Sequence, residues 1–399
     1  MEEKLFNKGF ITITIINFIV YLVYYLMMVI IAVMAHNQLH ASFGQAGLAS
    51  GIYIIGTLIA RLIMGKELEL VGRKRVARWG VVFYLITTIA YLAVPSIGAL
   101  YIVRLLNGFA YGMTSTALNA IVTEFIPDRR KGEGINYYGL STSLAAAIGP
   151  FIGLLLFHAT GFHFIVIMSV VLIAISMVAL FAIQINNVKL TDEHKSELKS
   201  WKLSSFIEYK VLLISFIGFL MGLSYSSVLS FLASYAETLN LVSISSFFFV
   251  VYAGIVTLTR PMSGRIFDRL GENYVMYPSY ACLTIGLVIL GMTNSAWMLL
   301  LSGAFIGLGY GTFMSNGQAV TLKLVTSHRI GIALSTYFIG LDLGLGVGPY
   351  VFGALHGQLP FRDLYFIAAV IPVVSAILYL VFYRPNKNKT KDIPANQLA

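Results

Sequence analysis

Charged residues are scarce in this sequence, and their scarcity sets the first limit on what the protein can be. Asp, Glu, Lys and Arg make up 11% of the 399 residues, whereas an average soluble domain has about 25%. Hydrophobic residues make up 58%, so too few polar side chains remain to cover a surface that faces water. The composition excludes an ordinary soluble protein.

Cysteine and the common catalytic signatures are also missing. Cys282 is the only cysteine, so no disulfide can form within the chain, and its position in a predicted helix indicates packing. There is no Gly-Lys-Ser/Thr phosphate loop, which argues against an ATP-driven pump. No set of Cys and His residues has metal-ligand spacing across loops. The sequence therefore predicts no enzyme site, no cofactor and no metal site.

Long apolar runs recur along the whole chain, and each has the length of about 20 residues that crosses a bilayer core. Only helices and closed barrels can span that core, and the length of these runs and their lack of alternation exclude a barrel. The first run lacks a cleavage site, so we expect it to stay as helix 1. We predict an all-α polytopic membrane protein with about twelve transmembrane helices, near residues 10–34, 43–64, 77–95, 97–122, 135–157, 161–184, 209–235, 243–266, 274–292, 296–320, 330–356 and 361–382.

The net charge of +10 would suggest a nucleic-acid partner for a soluble protein, but here its distribution follows the positive-inside rule. Basic residues cluster in alternate predicted loops, at 66–78, 129–131, 189–210, 265–269 and 323–329, and in the tail. Arg362 is the only Lys or Arg in the predicted outer loops. We therefore predict that both termini are cytoplasmic and that no nucleic acid is bound. The compact loops favour a bacterial cell membrane.

An internal repeat relates the two halves of the chain by a shift of 199 residues. Arg61 recurs as Arg260, and the pair Gly149-Pro150 recurs as Gly348-Pro349. The same shift relates Gly72 to Gly271, Gly108 to Gly307, Gly112 to Gly311, Gly132 to Gly331 and Tyr138 to Tyr337. An even number of helices per half makes the two halves parallel in the membrane. Transporters with this arrangement bind their substrate between the repeats, near the midplane. The Gly-Pro pairs predict bends in helices 5 and 11.

The repeat and the charge pattern together predict the domain organisation. Residues 1–184 form an N-terminal six-helix half, and residues 209–384 form a C-terminal six-helix half. Residues 185–208 are a charged cytoplasmic linker, and residues 385–399 are a cytoplasmic tail.

Two loop motifs resemble the signature of the major facilitator superfamily, usually G-x-x-x-D-R-x-G-R-K. The first copy runs over residues 65–74 with Glu69 in place of the usual Asp, and the second starts at Gly264. The resemblance implies two parallel six-helix halves, a monomer, and a latch at the cytoplasmic face. The alternative to the latch is that these charged residues only set the orientation of the chain in the membrane. The latch residues are Gly65, Glu69, Gly72, Arg73 and Lys74 with Gly264, Asp268, Arg269 and Gly271.

Two further stretches resemble motifs of the drug:proton antiporter branch of this superfamily. The sequence from Arg104 to Gly108 resembles R-x-x-Q-G, with Asn107 in place of Gln. The resemblance implies a role for Arg104 in proton coupling, unless its side chain reaches the outer surface instead. Residues 145–154 in helix 5 resemble the antiporter motif G-x-x-x-G-P-x-x-G-G, which favours export.

Asp342 is the acidic residue that the sequence places deepest in the membrane. It lies about 11 residues into helix 11, which is about 17 Å at the rise of an α-helix. An isolated carboxylate at that depth bears a high desolvation cost, which favours proton binding. We therefore predict a role for Asp342 in proton coupling or in attracting a cationic substrate. The alternative is a paired Asp that bonds to a neighbouring helix.

The resemblance implies that helices 1, 4, 7 and 10 line the central cavity, and the candidate residues for substrate binding come from helices 1, 7 and 10. Aromatic faces with few polar groups suit amphipathic or cationic ligands. The candidates are Asn17, Tyr21, Tyr24, Tyr25, Tyr225, Asn316 and Gln318.

These features predict a secondary active transporter that exports small organic compounds in exchange for protons, by alternating access. Its partners are then a small-molecule substrate, protons and the lipid bilayer. Two alternatives remain open. The first is a transporter dedicated to a single metabolite, such as a metallophore or siderophore exporter or a nutrient carrier. The second is a lipid flippase or a transport-inactive membrane scaffold.

Overall fold

The computed structural model describes residues 5–41, 43–185, 202–356 and 358–383. Within these ranges it contains twelve long helical segments and no strand. The first six are α1 (Lys8–Leu39), α2 (Phe43–Val71), α3 (Arg73–Ile89), α4 (Ile97–Ile121), α5 (Lys131–Thr160) and α6 (Phe162–Ala182). The second six are α7 (Leu212–Thr238), α8 (Val242–Leu270), α9 (Asn273–Gly291), α10 (Ala296–Leu324), α11 (Ile330–His356) and α12 (Phe361–Phe382).

Nine of these described segments are long and apolar enough to cross a membrane. The helical membrane fold predicted from the sequence is therefore confirmed. Most of the predicted linker and all of the predicted tail (residues 385–399) lie outside the described residues, so the domain boundaries stay predictions.

The motifs predicted as loops belong mostly to helices, because α2 and α8 run past the predicted ends of their spans. Gly72 alone separates α2 from α3, and Gly271 and Glu272 separate α8 from α9; Gly72 has φ 99° and Gly271 has φ 100°. Residues with a side chain rarely adopt this left-handed conformation, so glycine allows the helices to reverse without a longer connection. The latch residues are therefore held on rigid helix ends.

Glycines also set the distance between helices inside each half. A Cβ on Gly108 would lie 2.1 Å from the carbonyl oxygen of Tyr53 in α2, and one on Gly344 would lie 2.1 Å from that of Phe219 in α7. Helices in lipid associate by close packing because no hydrophobic force drives them together, which is why small residues line their contacts. The pairs α2–α4 and α7–α11 are packed in this way.

The two halves meet at the end of the bundle where Gly72 and Gly271 lie, which we call the basic end because most basic residues lie there. A Cβ on Gly65 of α2 would lie 2.7 Å from the Cβ of Ser335 in α11. A Cβ on Gly264 of α8 would lie 2.7 Å from the carbonyl oxygen of Gly132 in α5. With so little space between them, these two helix pairs close the passage between the halves at the basic end.

The two Gly-Pro pairs lie inside continuous helices, α5 and α11. Gly149 faces α1, where a Cβ would lie 2.7 Å from the Cβ of Tyr25, and Gly348 faces α7 at Ser226. These glycines therefore permit close helix contact, while the bends at Pro150 and Pro349 stay a prediction.

Substituting Gly108 by alanine should destabilise the fold, because the added methyl group cannot fit against the backbone of α2. The expected loss is about 1–3 kcal/mol, as for other overpacked sites, and it should appear as a lower unfolding temperature of the purified protein in detergent. Gly51→Ala is the matched control in α2, since a Cβ there has no neighbour within 4 Å. Equal unfolding temperatures for the two variants would contradict the packing argument.

Candidate functional site

An ion pair inside the bundle joins the two halves. Arg61 of α2 donates from Nε to Oδ2 of Asp342 in α11 at 2.8 Å. The Arg61 side chain is 2% exposed and that of Asp342 is 24% exposed. The sequence analysis favoured Asp342 as an isolated carboxylate with a paired Asp as the alternative, and the structure shows the pair; Arg61 was used only as a marker of the repeat. A charged residue within a predicted span was the signal for Arg61, since such residues need partners in the membrane.

The ion pair lines a cavity between the halves. The cavity has a volume of about 80 Å³, which is room for several waters. Because part of the Asp342 side chain faces this space, water can reach the carboxylate. The lining residues are Tyr21, Tyr24, Tyr25, Tyr53, Ile54, Thr57, Arg61, Tyr111, Thr142, Tyr310, Met314, Phe338, Leu341, Asp342 and Leu345.

Tyrosines form two stacked groups around the cavity, one from each half. Tyr24 stacks on Tyr111 with ring centroids 4.8 Å apart, and Tyr225 stacks on Tyr310 at 4.1 Å. Tyr310 is the repeat equivalent of Tyr111 by the shift of 199. The second copy of the repeat was therefore the signal for Tyr111 and Tyr310, which the sequence analysis missed.

Three of the seven predicted cavity residues, Tyr21, Tyr24 and Tyr25, line the cavity. Tyr225 is not among the lining residues, but it stacks on Tyr310, which is. Asn17 is fully buried and binds α5, donating to Ser141 at 2.8 Å and accepting from the Tyr138 hydroxyl at 2.7 Å.

The remaining two predicted cavity residues, Asn316 and Gln318, connect helices of opposite halves. The Asn316 side chain accepts from Asn136 of α5 at 3.0 Å. Gln318 donates to the amide oxygen of Asn119 in α4 at 3.3 Å, and these two residues are repeat equivalents. Both polar bonds hold the halves together on the basic-end side of the cavity.

Arg104 is fully buried and does not reach the outer surface. Its Nε donates to the carbonyl oxygen of Ala49 at 2.9 Å, and its guanidinium lies 4.4 Å from the ring centroid of Tyr53. Since Tyr53 lines the cavity and Arg104 does not, Arg104 can affect the cavity through that ring. Its role in proton coupling stays a prediction.

Arg260 of α8 is the repeat equivalent of Arg61 and is also fully buried. Its Nε donates to the carbonyl oxygen of Gly311 at 3.0 Å. Gly311 ends a single π-helical turn, Gly307–Gly311, within α10, whereas the equivalent residues 108–112 of α4 are regular α-helix. Such turns are frequent at functional sites.

The second copy of the latch motif binds the start of α5. Asp268 accepts hydrogen bonds from the backbone N–H groups of Gly132 and Glu133, both at 2.8 Å. A carboxylate at a helix N-terminus satisfies free N–H groups and interacts favourably with the helix dipole. Asp268 therefore connects α8 of one half to α5 of the other.

The first copy of the motif forms an ion-pair network. Arg73 donates to Glu69 at 2.6 Å and to Glu124 at 3.0 Å, and it also reaches the carbonyl oxygen of Ser327 in the other half at 3.1 Å. Lys74 is partly exposed and Arg269 is exposed. In the second copy, Glu272 takes the place of Arg73 and binds Lys323, the repeat equivalent of Glu124, at 2.9 Å. The polarity of this pair is thus reversed between the halves.

Glu133 adds an ion pair across the same interface. It accepts from Arg130 at 2.6 Å and from Arg265 of α8 at 2.9 Å. Burial raises the pKa of the Glu133 carboxyl, but the hydrogen bonds and charges of the two arginines outweigh it and lower the pKa below its usual range. Glu133 is therefore ionised at neutral pH.

Comparison with known families and proteins gives consistent matches. The family model described as Major Facilitator Superfamily matches residues 13–296 and 275–398. An uncharacterized MFS-type transporter of Methanocaldococcus jannaschii is 23% identical over 345 residues, which cover 84% of this chain and 88% of that protein. The multidrug resistance protein MdtG of Salmonella typhi is 29% identical over 184 residues, 44% of this chain and 45% of that protein. The match therefore spans less than half of MdtG.

Solved structures share the fold at low sequence identity. The human organic anion transporter MFSD10 superposes with a TM-score of 0.74 at 14% identity, covering 93% of this chain and 98% of that one. The transporter FucP in the outward conformation gives a TM-score of 0.75 at 13% identity, covering 96% of this chain and 100% of that one.

Removing the Asp268 charge should open the basic end. Hydrogen bonds to charged groups contribute about 1.5–3 kcal/mol each, so Asp268→Asn should shift the equilibrium between closed and open forms at least about tenfold. Spin labels at Arg129→Cys and Leu270→Cys, in a Cys282→Ser background, would report the change as a larger population with a long distance between the two labels. Asp363→Asn at the opposite end is the control, and an unchanged distance distribution in Asp268→Asn would refute the latch.

Proposed function

The chain belongs to the major facilitator superfamily, and from this membership we propose that it is a proton-coupled exporter of small organic compounds that works by alternating access. It is a multi-pass membrane transporter. The observation that carries the proposal is the ion pair between Arg61 and Asp342, since it joins the two halves and its carboxylate faces the cavity.

The basic end faces the cytoplasm in this proposal. The positive-inside rule supports that orientation, because the motif helices and the connections beside them carry most of the basic residues. Both termini are then cytoplasmic, and the chain works as a monomer in the cell membrane. The described conformation is closed to the cytoplasm.

Protonation of Asp342 couples protons to this closure. The deprotonated carboxylate holds Arg61 by a charge-assisted bond, which brings α2 and α11 together. A proton on the carboxylate removes its charge and weakens that bond, so the two helices separate at lower cost. Because Arg61 is buried in a low-dielectric interior, the loss of its counter-charge costs more free energy than it would for an exposed arginine.

The cycle then exchanges protons for substrate. A proton from outside binds Asp342 while the basic end is closed, and the loss of the ion pair lets that end open. Substrate enters from the cytoplasm as the proton leaves to the cytoplasm. The carboxylate pairs with Arg61 again, the basic end closes, and the substrate leaves to the outside.

The cavity supports small organic substrates with apolar or aromatic bodies, because tyrosines make up much of its wall. The curated relatives named as multidrug resistance proteins support export of such compounds. The expectation of cationic substrates rested partly on Asp342 as an isolated carboxylate, and its pairing with Arg61 removes that part of the argument, whereas the aromatic wall remains.

The test is proton release from acidified inside-out vesicles that contain the full chain. Quinolones, cationic dyes and metallophores are added one by one, and an internal pH-sensitive dye reports the gradient. A substrate should collapse the gradient through the wild type, and Asp342→Asn should reduce the initial rate at least about tenfold, as for loss of an acid–base group.

Asp363→Asn is the matched control, since it removes the same charge from the start of α12, away from the cavity. It should behave as the wild type. Equal rates in wild type and Asp342→Asn would disprove the coupling role. If folded wild-type protein moves the compounds without moving protons, the exchange mechanism is wrong although transport is retained.

A further inference from the structure

The two repeat-related arginines have different surroundings, and the difference concerns charge. Arg61 is compensated by Asp342 and lies 4.9 Å from the ring centroid of Phe338. The equivalents of these two partners beside Arg260 are Ser143 and Gly139. The second copy of the site has thus kept the arginine but has neither the carboxylate nor the ring.

The guanidinium of Arg260 is left with unused donor capacity. Its Nε donates to the carbonyl oxygen of Gly311 at 3.0 Å, and within the described part of the chain its Nη1 has no hydrogen-bond partner. The Nη1 of Arg61 also lacks one, but there a carboxylate balances the charge. A buried charge without a counter-charge is costly, which points to a partner that the transport cycle supplies.

A second unpartnered polar group lies beside this arginine. Ser315 of α10 is 2% exposed, and its hydroxyl has no hydrogen-bond partner in the described residues. A Cβ on Gly139 would lie 2.6 Å from Nη1 of Arg260 and 2.3 Å from Oγ of Ser315. Both groups therefore converge on the same point of the α5 backbone, and together they present donors to a single acceptor.

We infer that Arg260 and Ser315 bind the anionic group of the exported substrate, which is a small organic anion with an aromatic body. The inference rests on the proposed export cycle and names the substrate class for it. A carboxylate or phosphonate matches the fork of donors on a guanidinium. Arg260 binds the carbonyl oxygen of Gly311, and the adjacent Tyr310 lines the cavity, so the body of such a ligand lies among the tyrosines.

The location of the site also sets when it is filled. Arg260 and Gly139 lie in the α8–α5 contact, which closes the basic end. When these helices separate, the guanidinium is uncovered toward the cytoplasm and can take up an anion there. When they pack again, the backbone of α5 at Gly139 occupies the approach to Arg260 and displaces the ligand toward the outside.

The experiment compares three ligands of one shape and different charge: naphthoate, naphthamide and naphthylmethylammonium. Each is titrated against the purified full chain, and the rise in unfolding temperature gives an apparent affinity. Naphthoate should stabilise the wild type saturably and at least about tenfold more tightly than the other two, because only it forms charge-assisted bonds. Arg260→Gln and Ser315→Ala should weaken naphthoate selectively, and Arg260→Lys should keep part of the preference.

Arg362→Gln is the control, since it removes an arginine charge from an exposed site at the start of α12. It should bind naphthoate as the wild type does. Equal binding of the three ligands by the wild type, no binding of naphthoate, or the same loss in Arg260→Gln and Arg362→Gln would each overturn the inference. If Arg260→Gln fails to fold, Ser315→Ala and Arg260→Lys still test the site, and unchanged naphthoate binding in both would overturn the inference.

The same preparation in proteoliposomes separates the two proposals. If naphthoate binds through Arg260 but its export releases no protons, the anion site stands and the proton exchange fails. If another compound drives proton release while naphthoate neither binds nor moves, the anion site fails and the exporter proposal stands.

Discussion

A charged side chain inside a membrane protein needs a compensating partner, and for Arg61 that partner comes from the other half of the molecule. The bond to Asp342 requires α2 and α11 to lie side by side, and the small residues Gly65 and Ser335 allow the same helices to touch closer to the basic end. The ion pair therefore lies between the cavity and the closed passage. In the proposed cycle, an event in the cavity that alters the carboxylate also alters the closure, without a longer chain of contacts between them.

The two halves share their backbone plan but not their chemistry. Asp268 caps α5 across the interface, and Glu69 bonds to the equivalent backbone N–H of Gly331 in α11, but Glu69 is also paired with Arg73 of its own half. The pair of Arg73 with Glu124 becomes Glu272 with Lys323 in the second copy, so the same positions are joined with opposite polarity. Duplication supplied two equivalent helix frames, and the side chains diverged within them. The functional asymmetry between Arg61 and Arg260 belongs to the same divergence.

The helical fold and the repeat could be predicted from the sequence because apolar length and the shift of 199 residues are local signals. Asp342 was also identifiable, since a carboxylate deep in an apolar helix is conspicuous in any sequence. Its partner was not, because Arg61 lies 281 positions away and nothing in one sequence shows which helices of opposite halves touch. Asn17 and Asn316 were misplaced for a related reason: the correct helices were chosen, but the rotation of each helix depends on packing that the sequence does not reveal. Glu69 and Asp268 were found because their motif has a recognisable spacing.

The hydrogen bond between Gln318 and Asn119 joins a residue to its own duplicate. Two repeat equivalents can touch only on the axis that relates the repeats, so this bond marks that axis on the basic-end side of the cavity. Before the duplicated segments were fused into one chain, the same position would have met itself across an isologous dimer interface. Such a position must be self-complementary: a carboxylate or an ammonium would repel its copy, whereas a side-chain amide both donates and accepts. Amides at both positions preserve the requirement of a symmetric ancestor in a protein whose halves have otherwise diverged.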